Sequence, residues 1–93
     1  MDRVERIREL LEQSLEATHV EIVDDSHKHA GHPGAASGGG HFNVLVVSDH
    51  FSGESTLARH RLVYGAVDSL MPAEIHALSI KALTSEEHQS VKE

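Results

Sequence analysis

The sequence predicts an α+β domain: helix, strand, strand, helix, strand, with the helices packed on one face of a three-stranded mixed sheet and a short helical tail. Three observations predict it. Apolar residues recur at helical spacing in two stretches, they alternate with polar residues in three others, and the last two alternating stretches flank the second helical one. A strand–helix–strand unit pairs its strands in parallel through a right-handed crossover, whereas the first two strands, joined by a loop alone, form an antiparallel pair. Ninety-three residues are enough for one such domain with a single modest core, and no internal repeat or second domain is visible.

In the first helix Val4, Ile7, Leu10, Leu11 and Leu15 form the apolar stripe, with Arg6, Arg8, Glu9 and Glu12 on the other faces. Asp2 followed by Glu5 resembles a capping box. HVEIVD (19–24) alternates Val20 and Ile22 with polar neighbours and reads as a short strand. HKHAGHPGAASGGGH (27–41) then packs four histidines among five glycines without periodicity, and reads as an irregular, mobile loop. HFNVLVVS (41–48) is the strongest strand, with Phe42, Val44 and Val46 on one side and Leu45 and Val47 on the other. SDHFSG turns the chain into STLARHRLVYGAVDSL, whose stripe is Leu62, Val63, Ala66, Val67 and Leu70, and Pro72 disfavours helix at Met71. IHALSIKAL (75–83) is the third strand, and Thr84 with Glu87 forms a second capping box opening a polar tail over 84–93.

Composition excludes several function classes. There is no cysteine, which rules out disulfides and any zinc or iron–sulfur site built from the chain's own thiolates. No run approaches the ~20 apolar residues of a membrane span, and MDRVERIRELLEQS lacks an apolar signal core. The expectation is a soluble intracellular protein, cytoplasmic or in an organelle matrix. A formal net charge of −7 argues against strong general affinity for nucleic acid, although nine histidines make that acidity depend on pH. An enzyme is not expected. There is no thiol nucleophile, and the adjacency of Ser48, Asp49 and His50 makes no triad, because triads are assembled in space.

FSGESTLARHRLVY (51–64) matches the pattern F-x-G-x5-R-H-R-x-V-Y at every defined position. That pattern, with VVSDHF before it and IHALSI after it, resembles the BolA-like proteins from about Val4 to Thr84. The resemblance implies a class II KH-like fold and a role beside monothiol glutaredoxins in iron–sulfur cluster trafficking or iron regulation. In bacteria it also implies transcriptional control. Members carry either a Cys or a His in the loop between the first two strands, and a chain without cysteine resembles the His type. The tail departs from the family pattern: TSEEH stands where relatives often have Thr-Pro and a nearby Trp.

By this resemblance the implied cofactor is a [2Fe–2S] cluster shared with a monothiol glutaredoxin and glutathione, and absent from the isolated chain. The implied ligands are His76, at the family's C-terminal ligand position, and a loop histidine, either His41 or His32, both ranked ahead of His27 and His29. Strand parity places His76 with Leu78 and Ile80, where a structural role is the competing reading. The other reading of the loop is a set of solvated histidines that would take up stray Ni²⁺ or Cu²⁺. Arg59, His60 and Arg61 are the only concentrated positive patch, open to three readings: weak DNA contact, glutaredoxin docking, or helix ion pairs. The GxxG clamp of true KH domains and an aromatic stacking platform both lack a counterpart.

Overall fold

In the computed structural model, which describes residues 2–25, 40–71 and 73–92, the elements follow the expected order. They are α1 (Arg3–Leu15), β1 (His19–Asp24), β2 (Gly40–Val47), a 3₁₀ turn (Asp49–Phe51), α2 (Thr56–Val67) with a 3₁₀ extension (Asp68–Leu70), β3 (Ile75–Leu83) and α3 (Ser85–Lys92). The sheet order is β1-β2-β3, with β1 antiparallel and β3 parallel to the central β2. The segment 26–39, and with it His27, His29 and His32, lies outside the described residues.

Each element starts where its local chemistry dictates. Asp2 accepts a bond from the Glu5 N–H at 2.9 Å and caps α1, and Ile7, Leu11 and Leu15, one turn apart, are its buried stripe. Glu16 ends the helix in the left-handed conformation, at φ 50°. Ser55 caps α2 through the Ala58 N–H at 3.1 Å. Met71, before Pro72, is extended, as a residue preceding proline should be.

Register puts Val20, Val46 and Ala82 in one cross-strand row, and Ile22, Val44 and Ile80 in the next. Phe42 and Leu78 follow on the same face, which both long helices cover with Ile7, Leu11, Leu15, Val63, Val67 and Leu70. Two details differ from the sequence reading. Leu62, expected in the buried stripe of α2, is 38% exposed, because Val63 and Val67 point at the sheet and Leu62 sits beside that line. The turn SDHFSG is more than a connection: Phe51 is fully buried and belongs to the core.

Two polar groups join the layers. The Ser48 hydroxyl, fully buried, donates to the Leu15 carbonyl at 2.6 Å and accepts from the His50 N–H at 3.1 Å. It thereby satisfies one of the carbonyls that every helix leaves unpaired at its C-terminus. At the edge strand β1, Arg8 donates to the Val20 carbonyl at 2.6 Å.

The second is Arg59, whose side chain is only 14% exposed. It donates to the carbonyls of Glu54 (3.0 Å) and Ala82 (3.1 Å), and grips both carboxylate oxygens of Glu87, at 2.6 and 3.2 Å. Glu87 also accepts from the Thr84 N–H at 2.8 Å, while the Thr84 hydroxyl accepts from the Glu87 N–H at 3.2 Å. The capping box read from TSEE is therefore present, with its carboxylate shared by the guanidinium of α2. The Arg59 hydrogen bond, seconded by the Thr84 N–H, lowers the Glu87 carboxyl from the ordinary 4.5 to about 2.

Two predictions follow from these contacts. Because the folded-state pKa of Glu87 is depressed, the clamp's contribution is complete above about pH 4.5 and is lost as pH falls through about 2. A carboxyl-detected NMR titration should show this low midpoint, and Arg59→Ala should return it toward 4.5; an unchanged midpoint would refute the assignment. Ser48→Ala should cost about 1–3 kcal/mol in denaturant unfolding, because it leaves the buried Leu15 carbonyl without its donor.

Candidate metal centre

Where β2 begins, the parallel ladder is irregular. Gly40 pairs with Ile75 and His41 with Ala77, so His76 is an extra residue on β3, left in a bulge. Regular alternation from Leu78 and Ile80 would have sent His76 to the core face. Instead Ile75 fills that role, fully buried, and His76 is exposed. The parity inferred from the sequence is thus corrected by one bulged residue.

His41 shares the face of the sheet turned away from α1 and α2 with Asn43 and Leu45, by strand alternation and register. The bulge turns His76 toward it. Their ring centres are 5.1 Å apart, with the planes tilted by 48°. Two imidazoles bound to one tetrahedral ion through bonds of ~2.0–2.1 Å hold their ring centres about 5 Å apart. The spacing of the ring centres is therefore compatible with two imidazoles on one metal.

His41 lines a depression of ≈ 230 Å³ together with Asp25, Phe42, Asn43, Ala77 and Ser79. Its rim is fixed by the Asp25 N–H donating to the His41 carbonyl at 2.8 Å and by an Asn43–Asp25 side-chain hydrogen bond. Asp25 and Asn43 were not singled out in the sequence, although alternation alone aligns Asn43 with His41.

Among the described residues no third histidine or carboxylate joins these two in a metal-binding group. The site brings two imidazoles together, and among the described residues it supplies no further ligand. His32 lies outside the described residues, so of the two loop candidates His41 is the one whose place beside His76 is defined.

The Arg59-His60-Arg61 stretch does not present three equivalent cations. Arg59 is consumed by its four internal bonds, His60 is half-buried, and Arg61 is exposed on α2. The surrounding motif is mostly architectural. Phe51 and Val63 are core residues, Gly53 adopts φ +78°, which a side chain would strain, and the Tyr64 hydroxyl donates to the Leu78 carbonyl at 3.2 Å.

Among the described residues no helix is long and apolar enough to cross a membrane. The family model for BolA-like protein matches residues 11–87. The E. coli protein "DNA-binding transcriptional regulator BolA" is 35% identical over 96% of this chain and 82% of its own length. The Arabidopsis thaliana "SufE-like protein 1, chloroplastic/mitochondrial" is 42% identical over 88% of this chain, which spans only 24% of that longer protein. The solved BolA domain of SufE1 from Arabidopsis thaliana superposes with a TM-score of 0.79 at 43% identity, covering 94% of this chain and 96% of the domain. BolA1 from the same plant gives 0.78 at 38% identity, with the same coverage of both chains. Motif, topology and these likenesses converge, and the chain belongs to the BolA-like protein family.

Proposed function

We propose that this protein supplies His41 and His76 to a [2Fe–2S] cluster that it shares, as cargo, with a monothiol glutaredoxin and its glutathione. The observation that carries the reading is the paired imidazoles at 5.1 Å on an accessible edge of the sheet. A chain without cysteine brings no thiolate, so the sulfur ligands come from the partner. Two ligands held on adjacent strands are half of a coordination sphere, which suits an assembly that forms and dissolves with its partner.

The nucleic-acid reading has one observation in its favour, the name of the E. coli relative. Against it stand the net charge of −7 and the internal use of Arg59. Arg61 is the remaining exposed arginine of the patch. A single phosphate contact of that kind gives a log–log salt slope of only about −0.9.

The deciding experiment mixes the protein with a monothiol glutaredoxin, glutathione, iron and sulfide under anaerobic conditions and records absorption and circular dichroism in the visible range. A heterodimer with one cluster should form, with a spectrum distinct from that of the glutaredoxin alone, while the isolated protein should retain no colour after desalting. A spectrum identical to the glutaredoxin's own bridged dimer would sink the proposal.

His76→Ala should abolish the hybrid spectrum, and His41→Ala should do the same if the described pair is the ligand set. Loss on His32→Ala with His41→Ala silent would transfer the second ligand to the loop. Imidazole binds metal only when neutral, so occupancy of the hybrid should fall as the solution is acidified through the ordinary imidazole range near ~6.5. Flat occupancy down to about pH 5 would exclude imidazole ligation.

A further inference from the structure

The opposite end of the sheet face turned away from α1 and α2 holds a second set of donors. Strand alternation puts His19 and Glu21 on that face, and α3 folds over it to bring His88 against them. The His19 Nε2 lies 2.6 Å from a Glu21 carboxylate oxygen, and the His88 ring stacks on His19 with centres 4.9 Å apart and planes at 25°. One ligand atom from each of the three residues falls within 4.8 Å of the others, the single such group among the described residues.

We propose that His19, Glu21 and His88 form a binding site for one divalent transition-metal ion, with zinc as the reference, separate from the His41–His76 pair. Two imidazoles and a carboxylate are the borderline N/O donors that zinc takes, whereas magnesium and calcium prefer oxygen throughout. Three protein ligands leave a fourth position for water. Ligand atoms around a tetrahedral zinc sit about 3.3 Å apart, so the His19–Glu21 hydrogen bond must open by roughly 0.7 Å while the His88 ring closes in by roughly 1 Å or somewhat more.

The side chains can make that movement. Those of His19 and Glu21 are 39% and 58% exposed, and His88 is carried on a helix that buries no side chain fully over residues 85–90. A depression of ≈ 300 Å³ lined by Thr18, His19, Val47, Ser85, His88 and Gln89 provides the room. His19 pairs with Val47, six positions along β2 from His41, so the two sites are about 20 Å apart and cannot share an ion.

Such an ion would join β1 to the last helix, and its binding energy would add to the attachment of α3. The alternative is a surface histidine–glutamate contact with a ring stacked on it, which predicts no specific uptake of metal.

The test uses the 93-residue chain with His27, His29, His32, His41 and His76 all changed to Ala. This background removes the competing imidazoles and makes the outcome independent of the cluster proposal. Titration with Co²⁺, read by visible ligand-field absorption, and with Zn²⁺ by calorimetry should give one site, and Zn²⁺ should slow amide exchange in α3. Adding His88→Ala or His19→Ala should weaken binding by about tenfold or more, and Glu21→Gln by a similar factor. Circular dichroism checks that each variant is folded, and His88→Gln serves as a second, milder change. No one-site binding in the folded background, or binding undiminished by both His88 substitutions, would overturn the proposal.

Discussion

Parallel pairing of β2 with β3 is the constraint from which the rest of the molecule follows. A parallel pair cannot be closed by a tight turn, so the chain must leave the sheet at Val47, cross over through α2 and return at Ile75. That crossover covers the apolar face and seats Val63 and Val67 over Phe42, Val44 and Val46. It also brings the starts of two strands, 35 residues apart in sequence for His41 and His76, to one edge. The bulge there costs the ladder a regular pair and re-aims one imidazole. Without it His76 would lie toward the core and the two rings could not meet.

The chemistry of the pair follows from what the chain lacks. Thiolates would carry negative charge into the site. Neutral imidazoles remove that charge and raise the potential of the iron they bind, as in Rieske-type centres. In a protein already carrying a net −7, imidazoles add no further negative charge to the proposed shared site. His41 and His76 sit on strands, so their backbones are already ordered in the fold.

Much of the fold was legible because its signals are local. Capping residues at Asp2 and Thr84, the stripe at Ile7, Leu11 and Leu15, and the alternation across 41–47 each specify an element without reference to its neighbours. The F-x-G…R-H-R-x-V-Y motif identified the family, yet the structure spends most of it on architecture: Phe51 and Val63 in the core, Gly53 in a left-handed turn, Arg59 in the clamp on α3. The candidate site was half legible. His76 and His41 could be named, but their meeting depends on a bulge, and a one-residue slip in register has no sequence signature beyond Ile75 breaking the alternation. The grouping of His19 with His88 was not legible at all, because residues from opposite ends of the chain meet only through the docking of the last helix.

The contact between Arg8 and the Val20 carbonyl bears on how the molecule avoids its own kind. A three-stranded sheet has two edges, and β1 is one of them. Asp25 bonds to its partner His41, which by the antiparallel alternation leaves the Val20 amide group pointing away from β2. An outward row of free amides is a template on which a foreign strand can grow. Arg8 occupies the Val20 carbonyl, and the exposed carboxylates of Glu21 and Asp24 place charge along the same short strand. A helix packed on the core face thus reaches round to the border of the sheet, and the arginine on its surface takes up one acceptor that an incoming strand would need.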